Sequence, residues 1–282
     1  MKITTLIENT KIDDAHELEE EHGVSLFIET NDSKILFDTG KSNRFLKNAQ
    51  KLGINMNEAE VLFISHGHYD HGGGLGYFFK ENDQAKVYLK KEAFDEHYAK
   101  IGVFNKKYIG LNRELLGSYR DRFILVDSKI IVGKNIFIIP DITEKYPKPS
   151  GNRILYEKSC KKLIPDMFNH ELLLVIKEHN GLVVLTGCSH RGILNMVETV
   201  EEQFRSIKIK AVLGGFHLMN PITKKMSENE EVVLDIGKKL YENSNLSTIY
   251  SGHCTGKEAY ILLKEQLKEK LDYFATGRVI QL

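Results

Sequence analysis

Apolar residues come in short runs along the chain, none approaching the length of a buried helix. Two of them, at 24–30 and 34–37, are joined by Asn31-Asp32-Ser33 and predict a hairpin. A strand is predicted at 2–8 and a short buried one at 61–65. Helical periodicity follows Ser42 as far as about Leu52, where Gly53 marks the stop. A helix to about Lys80 and a strand at 86–89 come next. A second hairpin is predicted at 171–177 and 181–186, turning at Asn180-Gly181. Strand and helix then alternate: helix 192–204, strand 208–213, helix 228–241, strand 247–250, helix 257–270 and a closing strand at 278–282. Hairpins followed by alternation predict sheets packed between helical layers.

Residues 91–125 break this pattern. They are polar and carry Phe94, Tyr98, Phe104, Tyr108 and Tyr119. The expectation is a helical or irregular insertion that forms a lid. Pro140, Pro147 and Pro149 mark the clearest break, in a loop at 144–151.

Composition narrows the class. The chain has 282 residues with Lys+Arg 39 and Asp+Glu 39, a net charge of zero. That balance argues against nucleic acid or an anionic membrane as partner. No apolar run nears the ~20 residues of a membrane span, and no leader pattern opens the chain. Cys160, Cys188 and Cys254 form no CxxC pair, so a reduced, cytoplasmic protein is expected.

Eleven histidines stand out. His66-Gly67-His68-Tyr69-Asp70-His71 follows a strand and places four ligand-type side chains in six residues. Imidazole and carboxylate suit zinc, iron or manganese. The set suits two adjacent ions, His66 and His68 on one, Asp70 and His71 on the other. His190 and His253 repeat the pattern of apolar strand, glycine, small residue and histidine, and are expected to complete the ligands. His217 shares it, and is expected to bind either metal or substrate. Asp38, before Thr39-Gly40, is placed to orient a ligand histidine. Cys188 is read as a buried neighbour, with direct ligation the alternative. His16, His97, His170 and His179 lack the pattern and are expected at the surface. No phosphate loop or nucleophile elbow is present.

The His-x-His-x-Asp-His loop after Asp38-Thr39-Gly40 resembles the metallo-β-lactamase superfamily signature. The blocks Glu21-His22-Gly23-Val24-Ser25, Gly187-Cys188-Ser189-His190-Arg191-Gly192, Gly214-Gly215-Phe216-His217-Leu218 and Ser251-Gly252-His253-Cys254-Thr255-Gly256 are similar to its dihydropterin–ribofuranosylaminobenzene 5′-phosphate synthase-like branch. The resemblance implies an α+β fold, a four-layered αβ/βα sandwich over residues 1–282. It implies one or two divalent ions, zinc first, and a hydroxide that attacks a carbonyl or phosphoryl centre of a small, phosphorylated, pterin-like substrate. Asp70 would hold a metal and orient the hydroxide, and His217 or Arg191 would receive the phosphate. Cys188 stands where many relatives carry a bridging aspartate. Iron-dependent redox chemistry with a partner protein and a non-enzymatic metal sensor are the alternatives. A homo-oligomer is compatible with the sequence.

Overall fold

A computed structural model describes residues 1–102 and 105–282. The strands are β1 (Lys2–Ile7), β2 (Ser25–Glu29), β3 (Lys34–Phe37), β4 (Val61–Phe63), β5 (Lys86–Leu89), β6 (His97–Ile101), β7 (Asn105–Tyr108), β8 (Phe123–Leu125) and β9 (Ile130–Val132). They continue as β10 (Ile136–Ile139), β11 (Leu155–Ser159), β12 (Lys162–Pro165), β13 (Leu173–Glu178), β14 (Gly181–Leu185), β15 (Ile209–Gly214), β16 (Leu246–Ser251), β17 (Leu271–Tyr273) and β18 (Val279–Gln281). The helices are α1 (Arg44–Lys51), α2 (Tyr69–Gly72), α3 (Leu75–Glu81), α4 (Glu114–Ser118), α5 (Ile193–Gln203), α6 (Glu230–Glu242) and α7 (Lys257–Leu267).

Two seven-stranded sheets form the centre, ordered β18-β1-β2-β3-β4-β5-β8 and β17-β16-β15-β14-β13-β10-β9. Alternation along each strand explains the layering. In β3, Ile35 and Phe37 join the core between the sheets, while Leu36 joins the one beneath α1 and α3. In β14, Val183 and Leu185 face the other sheet, while Leu182 and Val184 face α5, α6 and α7. A strand buried on both faces must be apolar throughout, as β14 is. The result is helix, sheet, sheet, helix, the four-layered sandwich the resemblance implies.

The stretch at 91–125 is not simply helical or irregular. Its β6–β7 hairpin pairs with β11 and β12 in a third sheet, ordered β12-β11-β6-β7. Residues 103–104, Phe104 among them, lie outside the described residues. Among the described residues, no helix is long and apolar enough to cross a membrane.

Candidate metal centre

The functional side chains collect where β4, β14, β15 and β16 end. β15 runs parallel to both β14 and β16, so the loops after these three strands emerge on one edge. They carry Cys188 and His190, His217, and His253 respectively. After β4 the chain is pinned twice: the Ser65 amide donates to Asp38 Oδ1 at 2.8 Å and its hydroxyl to Oδ2 at 2.7 Å. α2 then begins, leaving His68 just before its first turn and Asp70 and His71 on it. Glycine is required beside this loop. A Cβ on Gly187 would collide with Ser65 Oγ and lie 2.8 Å from His66 Nδ1. Asp38, His217 and His253 sit at φ of 57°, 50° and 51°, in left-handed backbone that their surroundings must impose.

Three histidines form a first corner. The Nε2 atoms of His66, His68 and His190 are buried and have no hydrogen-bond partner. The ligand atoms of the three lie within 4.8 Å of one another. The Ser65 hydroxyl gives its proton to Asp38, so it accepts from His66 Nδ1 at 2.9 Å. His190 Nδ1 donates to Asn152 Oδ1 at 3.0 Å. With Nδ1 protonated, both rings aim an Nε2 lone pair inward. Burial, reinforced by neighbouring imidazoles, holds all three rings well below the ordinary histidine pKa, so they are neutral. Converging lone pairs with no donor fit a divalent transition-metal ion.

A second corner adds negative charge. His71 Nδ1 meets Asp38 Oδ2 at 2.6 Å, and His253 Nδ1 donates to Asn9 Oδ1 at 3.0 Å. Their Nε2 atoms face each other at 3.2 Å, so a proton or a cation must lie between them. Cys188 Sγ is 3.2 Å from His71 Nε2, and burial pushes its thiol pKa well up. Asp70 Oδ2 lies 3.5 Å from His253 Nε2 and 3.2 Å from His22 Nε2. Burial raises the Asp70 pKa, but these imidazoles hold it well below the usual carboxylate range. His22, which entered the sequence analysis only within a resembling block, is thus part of the site. It also stacks on His253 with ring centres 4.8 Å apart.

Matching cradles hold one histidine of each corner. Glu171 accepts the His190 amide at 2.7 Å, and Asn152 Nδ2 donates to its carbonyl at 2.7 Å. Glu8 accepts the His253 amide at 2.6 Å, and Asn9 Nδ2 donates to its carbonyl at 3.2 Å. Burial drives the Glu171 pKa up to about 7. Sequence reasoning missed all four residues. The available signal was a lone polar residue at a strand end, as at Glu8 after β1 and Glu171 before β13.

Two surface expectations fail. His97 and His170 are fully buried, drawn in by Asp166. His170 accepts the Gly67 amide on Nδ1 at 2.9 Å, so its proton sits on Nε2 and points to Asp166 Oδ2 at 3.3 Å. His97 Nε2 donates to the Glu92 carbonyl at 3.1 Å, and its Nδ1 lies 2.8 Å from Asp166 Oδ2. A carboxylate can only accept, so His97 carries both protons. Burial lowers its pKa, yet Asp166 more than offsets this and holds it raised. His68, His97, Asp166 and His170 could be read as a metal cluster. The hydrogen-bond inventory makes the last three a saturated chain instead, anchoring the Gly67 peptide.

His217 lies beside His190, ring centres 4.1 Å apart, with neither ring nitrogen partnered. Arg191 does not reach the place proposed for it. Its guanidinium turns to Glu144 at 2.6 Å, and it is absent from the described residues that wall the cavity. That cavity, about 360 Å³, has His68, Asp70, His190, His217 and His253 on its wall, with the β6–β7 hairpin above. Four larger hollows, of about 490 to 600 Å³, hold none of these five residues.

Known proteins share this arrangement of chain. The profile of the Metallo-beta-lactamase superfamily matches residues 18–137. The 7,8-dihydropterin-6-methyl-4-(beta-D-ribofuranosyl)-aminobenzene-5′-phosphate synthase of Methanocaldococcus jannaschii is 29% identical over 278 residues, covering 93% of this chain and 90% of its own. An uncharacterized protein of the same organism is 30% identical over 266 residues, 92% of this chain and 91% of its own. The crystal structure of Tm1679, described as a metal-dependent hydrolase of the beta-lactamase superfamily, superposes with a TM-score of 0.83 at 32% identity, covering 100% and 99% of the two chains. Signature loop, sandwich and full-length similarity agree, and the chain belongs to the metallo-β-lactamase superfamily.

Proposed function

We propose that the protein is a metal-dependent enzyme, a hydrolase or related transferase, acting on a small phosphorylated, pterin-like molecule. The observation that carries the reading is the trio of buried, unpartnered Nε2 atoms on His66, His68 and His190. These three would hold one ion, and Asp70, His71 and His253 a second, with Cys188 between the corners. Zinc suits so imidazole-rich a set, and iron or manganese would use the same donors. A divalent ion bound there lowers the pKa of water towards neutrality and polarises a carbonyl or phosphoryl oxygen.

The chain's own groups do the rest. Asp38 fixes the ring of His71, and Asn152 and Asn9 fix those of His190 and His253. Asp70, kept ionised, can hold an ion and orient the attacking water. His217 offers the substrate a hydrogen bond from a ring with no other partner. The third sheet, with β6–β7 over the cavity, serves as the lid and keeps bulk water from the reacting centre. The substrate class follows the relative from Methanocaldococcus jannaschii, named for a product that carries a dihydropterin, an aminobenzene and a 5′-phosphate. That relative is a synthase, so group transfer stands beside hydrolysis.

Metal analysis of the natively purified protein, with a panel of phosphodiesters and esters, tests the reading. Wild type should carry metal and turn over at least one substrate. His68→Ala should lose both, and equal behaviour of the two proteins would sink the proposal.

A further inference from the structure

With Arg191 held by Glu144, the cavity has another source of positive charge. Lys107, on β7, and Lys224, in the 219–226 loop, both line it. Among the described residues neither forms an ion pair, whereas Lys145, Lys148 and Lys158 each meet a glutamate. The two lysines come from separate elements yet sense each other. Partial burial pulls the Lys224 ammonium below its ordinary pKa, Asp70 draws it back up, and Lys107 lowers it again. Asp70 is the carboxylate on that wall and is assigned above to hold an ion, so two like charges with no ion-pair partner face the hollow and favour an anionic guest.

The loop that bears Lys224 is built, not slack. Asn220 Oδ1 accepts the Ile222 amide at 2.9 Å and the Thr223 amide at 3.0 Å. The Lys224 amide donates to the Asn220 carbonyl at 2.9 Å, and Met219 pairs with Met226 to close the base. Lys224 itself is held at φ 60°, left-handed backbone that a lysine does not adopt freely. The same wall carries the apolar side chains of Ile109, Leu155, Met219 and Ile222.

We propose that Lys107 and Lys224 form a two-sided clamp for a phosphate monoester dianion, whose flat apolar portion lies on Ile109, Leu155, Met219 and Ile222 while its reacting end meets the histidines. This rests on the phosphorylated-substrate reading above and names the groups that select the phosphate. The clamp is a specificity device and takes no part in bond breaking.

Phenyl phosphate titrated calorimetrically into the metal-loaded protein tests it, with the uncharged dimethyl ester as control. Lys107→Met and Lys224→Met should each weaken phenyl phosphate by about tenfold. The double variant should weaken it further, Lys224→Arg should largely retain it, and the ester should be unaffected throughout. A double variant within twofold of wild type overturns the clamp, as does an equal loss for the ester. Metal content and diester hydrolysis of the same preparations judge the earlier reading separately. A lysine effect without metal-dependent turnover keeps the clamp and removes the reaction, and the reverse removes the clamp.

Discussion

Two groups of buried histidines sit side by side, and they differ in how their nitrogens are used. His66, His68 and His190 present three Nε2 atoms with no partner. His97 and His170, ring centres 4.1 Å apart, have every nitrogen engaged, by Glu92, Asp166 and Gly67. Residue type and burial are the same in both. What separates a ligand site from a structural tie is the hydrogen-bond account: one group has lone pairs to give, the other has none left.

The sharpest break of that contrast is His68→Ala. It should cost more metal affinity than the ~100-fold upper figure for losing a partner that merely orients a ligand. Metal titration followed by a competing chelator would show it, and unchanged affinity would erase the distinction between the groups.

Asp166→Asn probes the saturated group. It strands a buried imidazolium, at a cost of about 3–5 kcal/mol in stability. Asp166 is held far below 3.8, so its contribution is present above that pH and is lost as pH falls. His97 is held above 6.5, so its contribution is present below that pH and is lost as pH rises through the raised value. The gap between wild type and variant should be widest from pH 3.8 to 6.5 and narrow on both sides. Urea unfolding across pH would reveal it, and a gap that stays constant would remove the ion pair.

Smaller effects separate the two cradles. Asn152→Ala and Asn9→Ala should each weaken metal binding by about 10–100-fold, at different corners. Anomalous scattering from metal-soaked crystals would tell which corner loses occupancy, and loss at the same corner in both would contradict the assignment. Gly187→Ala should cost about 1–3 kcal/mol by pressing on Ser65 and His66. A thermal melt unchanged from wild type would count against the tight fit there.

The sandwich and much of the site were legible because they leave local marks. A strand buried on both faces needs a continuous apolar run, as in β14, and a ligand loop after it needs glycine beside histidine. His97 and His170 lack both marks, because a partner distant in sequence, Asp166, draws them inside. Glu8, Asn9, Asn152 and Glu171 act through the backbone of other residues, and a single polar letter carries no such message. The third sheet was not visible: 91–125 was expected to be helical or irregular, and β11 and β12 are short, mostly exposed strands that exist through pairing with each other and with β6. Arg191 was misplaced because sequence adjacency to His190 does not fix where a long side chain turns.

The cradle around His253 reaches across 245 residues to Glu8 and 244 to Asn9. Its parts lie far apart in the chain, so the corner cannot exist before β16 and the His253 loop are present. Contacts of such span close late, after their loop entropy has been offset by the sheets between them. The first corner's ligands all lie within residues 66–190, whereas the second waits for β16 and His253. Ion uptake at the second corner is thereby a report that the segments around Glu8 and His253 have been brought together, and a chain that stops short of β16 would be recognisable by a single, half-built site.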